Sequence, residues 1–363
     1  MDNPENLVPR LQSTLEGILR AVPLVSHVGF NTTPARLASN EVDLLVTVTL
    51  NNSTRHELAV EFKSQGHPRQ LREALNQILR YRHQGQTLNA HLVPVVAAPF
   101  ITEEGAAVCR EENINFCDIA GNCRLNFGGV FIERAGRRNV IARANAMPDL
   151  YAPRSERILR VLLENPLQSW KVAPLAKAAE VSLGTVSTAR KLLLEREWAR
   201  ETDDGFTILR ADKLLQDWAG AWVRRRMTVR SYISLDGVNT TESRLANAAH
   251  ATTPGGKFAI TGMSAAWRHA QWVRYERVQA YWDGDLDALA RTAKLKPADS
   301  GANVQLLTPR DAGVFYGVIG MSGVPVVSKI QTYLDLKREP VRGTEAAEFL
   351  WNTVLFPGHA TKQ

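Results

Sequence analysis

The chain has 363 residues, 44% hydrophobic and 22% charged, a globular balance that excludes wholesale disorder and suggests two or three domains. Lys and Arg number 44 against 37 Asp and Glu, and the net charge of +7 points first to a polyanionic partner such as nucleic acid. No apolar run approaches the roughly 20 residues of a membrane helix; the best, residues 92–101, is broken by Pro94 and Pro99. The sequence opens with Asp2 and Glu5 rather than a basic-then-apolar leader, and Cys109, Cys117 and Cys123 fit reduced thiols. A soluble cytoplasmic protein that does not enter the membrane is expected.

The charge is uneven. Residues 1–150 carry 15 basic and 15 acidic side chains, residues 151–226 carry 14 and 10, and residues 227–363 carry 15 and 12. The middle segment is the most basic for its length and ends in Arg224, Arg225 and Arg226. These boundaries define three expected domains.

In residues 1–150, Leu7, Leu11, Leu15, Ile18, Leu19 and Val22 recur at helical spacing. Two β-branched runs, 42–48 and 57–63, flank the turn-like Asn51-Asn52-Ser53 and read as a hairpin. A helix over 71–81, a strand over 91–98, a helix starting near Thr102, and short strands at 114–119 and 130–133 follow, a mixed α/β layer. Asp43 falls on the first hairpin strand; Glu61 and Lys63, two apart on the second, share a face with Phe62 turned away. Two close carboxylates suit a hydrated Mg²⁺, which can stabilise charge developing on a phosphodiester. Cys117 to Cys123 brackets Asp118, Gly121 and Asn122, which reads as a tight turn and not a zinc site.

Asp43 followed by Glu61-x-Lys63 resembles the PD-(D/E)xK nuclease superfamily, with Val42 where the motif has Pro. Gln77 and Tyr81 on the next helix resemble the Q-x3-Y element of RecB-like members, and Glu16 stands where many members have a further acidic residue. The resemblance covers about residues 5–135. It implies a restriction-endonuclease-like mixed sheet, with Asp43, Glu61, Lys63 and Gln77 as catalytic residues. Asp43 and Glu61 would be the ligands of Mg²⁺ or Mn²⁺ in an active site.

Residues 154–164 and 172–179 read as helices, and Ser182 is a good N-cap for a third over 183–198. In that helix Leu183, Val186, Ala189, Leu192 and Leu193 are expected to face the core, leaving Thr185, Ser187, Thr188, Arg190 and Lys191 outward. Asp203-Asp204-Gly205 marks a hairpin between 198–202 and 206–209. Three helices and a wing in this order resemble the winged helix-turn-helix family. That implies duplex DNA as partner, with Thr185, Ser187 and Thr188 near base edges and Arg190, Lys191 and Arg200 near the backbone. A homodimer would carry two such helices to two half-sites. The acidic wing tip argues the other way, for a protein-binding winged helix.

Residues 213–226 read as a Trp-rich connector helix. Beyond it, a strand running through Gly262 into a helix, strands at 278–282, 304–307 and 314–317, and a closing helix over 344–355 suggest an α+β domain. Gly262 and Ser264 followed by Asp285 and Asp287 faintly resemble a nucleotidyltransferase site, but Asp285 reads better as the N-cap of a helix over 286–294. The Phe-Ala-Ile-Thr-Gly-x-Ser-Ala-Ala stretch at 258–266 and Tyr333-Leu-Asp-Leu-Lys337 are similar to the AbiEi-like antitoxins of type IV toxin–antitoxin systems, over roughly 150–355. That resemblance implies a transcriptional regulator with a cognate toxin. The overall expectation is a multidomain α/β and α+β protein acting on DNA, with regulator and metal-dependent endonuclease as the two readings.

Overall fold

A computed structural model describes residues 7–31, 35–37, 40–84, 92–137, 149–271, 274–340 and 342–357. The chain divides into two compact units, Met1–Pro148 with Leu192–Glu197, and Asp149–Lys191 with Trp198–Gln363. Twelve α-helices and eighteen strands occur among the described residues, a mixed α/β and α+β architecture.

The first unit runs α1 (Leu7–Arg20), β1 (Val25–Asn31), β2 (Ala35–Leu37), β3 (Asn40–Val42), β4 (Leu44–Leu50), β5 (Arg55–Phe62), α2 (Pro68–Gln84), β6 (Leu92–Ala98), α3 (Glu103–Glu111), β7 (Asn115–Asp118), β8 (Cys123–Phe127) and β9 (Val130–Arg134). β2 and β3 form a small ribbon; the other seven make one sheet in the order β1-β4-β5-β6-β7-β8-β9. Pairing is parallel from β5 to β7 and antiparallel on either side. Period-2 alternation in β5 and β6 splits the core. Leu58, Val60, Val95 and Ala97 join Leu11, Leu15, Ile18 and Leu19 of α1, and Val96 and Ala98 join Leu71, Ala74 and Leu75 of α2 with Ala106 and Val108 of α3. Thr102 caps α3, its hydroxyl accepting from Gly105 N–H at 3.1 Å. β1 and β8 were not expected. The latter follows the turn at Gly121, where buried Asp118 accepts from Ile101 N–H and from both the backbone and side chain of Asn122.

The second unit begins with α4 (Pro153–Glu164), α5 (Val172–Ala179), α6 (Leu183–Glu195, whose residues from Leu192 on group with the first unit), β10 (Ala199–Thr202), β11 (Gly205–Ile208) and α7 (Ala211–Val223). β10 and β11 pair around Asp203-Asp204, and Trp170 bridges to Phe206 as a short third strand. Then come β12 (Thr228–Ile233), α8 (Val238–Thr252), β13 (Phe258–Thr261), α9 (Gly262–Ala270), β14 (Val278–Trp282), α10 (Leu286–Thr292), β15 (Lys296–Pro297), β16 (Val304–Thr308), β17 (Ile319–Met321), β18 (Val324–Val326), α11 (Lys329–Leu336) and α12 (Gly343–Leu350). Their sheet has the order β15-β12-β16-β14-β13-β18-β17. The strand expected at 314–317 is instead a 3-10 turn, Ala312–Phe315, because Asp311 caps Gly313 N–H at 2.7 Å and bends the chain. β12 and α8 fill a stretch to which no elements were assigned.

α7 is more than a connector. Trp218 and Trp222 are buried, and Trp222 Nε1 donates to Asp335 Oδ1 at 3.0 Å. Asp335 also accepts from Thr261 (2.6 Å), Tyr281 (2.9 Å) and Gln331 (3.0 Å), while Gln331 accepts from the buried Arg160 of α4 at 2.6 Å. Burial raises the Asp335 carboxyl above its ordinary range. One polar network thus ties α4 and α7 to the C-terminal sheet, with only the buried Arg160 Nε of its members left without a hydrogen bond among the described residues.

Candidate functional site

In the first unit, β5 and α2 bring three of the four expected catalytic residues into direct contact. Glu61 is buried beside Val96 on the α2 side of the sheet, and its Oε1 accepts from Lys63 Nζ at 2.9 Å. The same ammonium donates to Gln77 Oε1 at 3.2 Å. Phe62 packs into the α1 core, as alternation requires. Asp43 is not within a strand but in the bend between β3 and β4. Its Oδ2 accepts from Phe62 N–H at 2.7 Å, which fixes it to the backbone next to Glu61.

The donor set accommodates a divalent cation. Asp43 Oδ1 and Glu61 Oε2 make no hydrogen bond among the described residues, leaving one oxygen of each carboxylate free. A hydrated Mg²⁺ asks for no more than one or two carboxylates. No cluster of three or more His, Cys, Asp or Glu side chains is arranged for a metal among the described residues. Glu16 pairs with Arg20 at 2.8 Å on the exposed side of α1, across the sheet from Glu61, and the Tyr81 side chain lies outside the described residues.

In the second unit, α6 presents a mixed face. Ser182 begins it, with Oγ accepting from Thr185 N–H at 3.2 Å and lying 2.9 Å from the Thr185 hydroxyl. Val186, Ala189, Leu192 and Leu193 are buried, whereas Ser187, Thr188 and Lys191 are exposed. Leu183 was expected in the core and is instead 57% exposed. It precedes Ser187 and Lys191 by four and eight positions, so helical periodicity puts it on the outward stripe. Ser187 Oγ donates back to Leu183 O at 3.0 Å. Arg190 is engaged by the hairpin: Nη2 donates to Glu201 Oε1 at 2.7 Å, and the guanidinium lies 5.9 Å from the Phe206 ring centroid. Glu180, the left-handed residue of the turn before α6, is held by Arg157, which also makes a bidentate pair with Asp311 at 2.7 and 2.9 Å.

The nucleotidyltransferase-like residues serve structure instead. Asp285 caps α10, Asp287 bonds Arg230 and Tyr232, and Ser264 is buried against Glu242 and Arg268. No helix among the described residues is long and apolar enough to cross a membrane.

No curated protein and no solved structure matches the chain. Residues 207–355, from within β11 to the last helical turn among the described residues, match the family model of the type IV toxin–antitoxin transcriptional regulators known as AbiEi antitoxins.

Proposed function

We propose that the protein is a DNA-binding transcriptional regulator of the type IV antitoxin kind, and that α4 to β11 form its winged helix. The carrying observation is the α6 face. A Ser-capped helix exposes Ser187, Thr188 and Lys191 directly before a two-stranded hairpin, and the antitoxin-regulator match begins within that hairpin. Short hydroxyls can meet base edges in the major groove, and Lys191 can meet phosphate. Thr185, whose hydroxyl is close to Ser182, would act nearer the backbone. Duplex DNA is the primary partner, a toxin of the same system the second, and a homodimer would present two helices to a palindromic site. A cytoplasmic location fits this reading.

The test is fluorescence anisotropy of the full chain on duplexes from its own promoter region. Ser187→Ala and Thr188→Ala should lose sequence preference. Lys191→Ala should weaken binding to all sequences alike and lower the log–log salt slope by about 0.9. Unaltered preference in the Ser187 and Thr188 variants would contradict the reading.

A second reading, a metal-dependent DNA endonuclease of the PD-(D/E)xK kind, is favoured by the Glu61–Lys63–Gln77 contact and by the oxygen of each of Asp43 and Glu61 that makes no hydrogen bond among the described residues. Asp43 and Glu61 would hold Mg²⁺ or Mn²⁺, which when bound supplies charge stabilisation to a phosphodiester. Lys63, positioned by Glu61 and Gln77, would neutralise the phosphate. Incubation with plasmid and single-stranded DNA in each metal, beside Asp43→Ala and Lys63→Ala, tests it; cleavage should vanish in both variants.

A further inference from the structure

Two residues of α6 lack an explanation within the chain. Gly184 lies in the first turn, where glycine weakens a helix relative to alanine. Its φ is not positive, and a Cβ built there would meet only Ser182 Oγ, at an ordinary 3.9 Å. Neither backbone conformation nor packing therefore requires the glycine. Leu183 beside it exposes 57% of its surface on a stripe otherwise made of Ser187, Thr188 and Lys191. Leu183 borders a cleft of about 690 Å³ whose rim carries Arg154 and Lys177. These two make no ion pair among the described residues, in contrast to Arg157 in the same cleft, which is committed to Asp311.

We propose that Leu183 and Gly184 are specificity-determining contacts to DNA: Leu183 takes the C5-methyl group of a thymine, and Gly184 lets the helix approach the base edges closely. The inference rests on the winged-helix reading of α6. A thymine methyl is the apolar feature of the major groove, and an exposed aliphatic side chain is its natural complement. A bare Cα on the same stripe removes the methyl that would otherwise hold the helix off the DNA. Arg154 and Lys177 suit the backbone phosphate alongside, which would supply them with a counter-charge.

The experiment uses the full chain and the duplex it binds in the anisotropy assay, with each thymine replaced in turn by deoxyuridine, which lacks only the methyl. In wild type one replacement per half-site should weaken binding about fourfold, the value of one buried methyl-sized group. In Leu183→Ala that replacement should cost nothing. Gly184→Ala should raise the melting temperature yet weaken specific binding roughly tenfold, a divergence that a purely structural role would not produce. Deoxyuridine tolerated at every position, or costing Leu183→Ala as much as wild type, would overturn the Leu183 assignment. Unchanged affinity in Gly184→Ala would overturn that of Gly184. A wild-type chain that binds no duplex removes the winged-helix reading itself, an outcome distinct from binding without methyl discrimination.

Discussion

Arg190 of α6 and Glu201 of β10 form an ion pair at 2.7 Å that joins the proposed reading helix to its wing. Glu201 is 60% exposed and Arg190 34%, so a nearby phosphate can compete for the guanidinium. The pair fixes the wing in the free protein and withholds one positive charge from DNA. Lys191, one position on, is the exposed cation of that helix turn.

Replacing Glu201 by Gln should release Arg190. Affinity for non-specific duplex should rise severalfold at low salt, and the log–log salt slope should steepen by about 0.9, one additional phosphate contact. Anisotropy titrations across a KCl series measure both quantities. An unchanged slope would mean that Arg190 stays with the wing and does not reach phosphate.

Asp335 gives the second unit a definite pH dependence. Burial raises its carboxyl pKa above the ordinary 3.8, despite the donors from Thr261, Gln331, Tyr281 and Trp222 that favour the ionised form. The folded state then binds the proton more tightly than the unfolded state. This contribution to stability is present below 3.8 and is lost as pH rises through the raised value. Asp335→Asn removes the titrating group, so its stability relative to wild type should improve as pH rises through that window. Urea denaturation at a series of acidic pH values reads the difference; a constant gap between the two proteins would contradict it.

Lys63 neutralises a buried carboxylate. In Lys63→Met, Glu61 loses its cation while remaining almost enclosed, with its side chain 7% exposed. Destabilisation of about 1–3 kcal/mol is expected, because an uncompensated buried charge is costly, and Glu61→Gln in the same chain should restore part of it. Chemical denaturation of the single and double variants forms the test cycle.

Gly205 closes the wing with φ near 130°, and a Cβ there would come within 2.1 Å of Trp170 O. That carbonyl accepts from Phe206 N–H at 3.0 Å and holds the third wing strand. Gly205→Ala should therefore cost about 2 kcal/mol or more and weaken DNA binding along with stability, the wing being displaced. Glu201→Gln, in contrast, should leave the melting temperature nearly unchanged.

Much of the candidate site was legible because it depends on short-range periodicity. The two-residue step from Glu61 to Lys63, which lies just past the end of β5, put both side chains on one side of the sheet, and the position of Gln77 on α2 brought it to the same ammonium. The Ser182 cap, the Asp203-Asp204 turn and the Asp285 cap depend on local backbone chemistry and were equally readable. Leu183 was misplaced because hydrophobicity alone put it in the core, whereas its spacing of four and eight positions to Ser187 and Lys191 puts it on the outward stripe. The strand assigned to 314–317 failed for a similar reason: its apolar residues pack from a 3-10 turn set by the Asp311 cap. Long-range pairing was beyond the sequence. Arg157 with Asp311, and Arg160 with Gln331, join positions more than 150 residues apart, and nothing local announces them.

Whether the face of α6 meets the duplex is read most directly by a photo-crosslinker attached to the cysteine of Thr188→Cys. The three natural cysteines are buried, so labelling is confined to the new site. Ultraviolet-dependent crosslinks are expected from position 188 to bases of the bound duplex, and none from the same label on a cysteine at the exposed Asp299. Crosslinks from 299 but not 188 to bound DNA would contradict the winged-helix reading, because the face of α6 would then not be the one that meets the duplex.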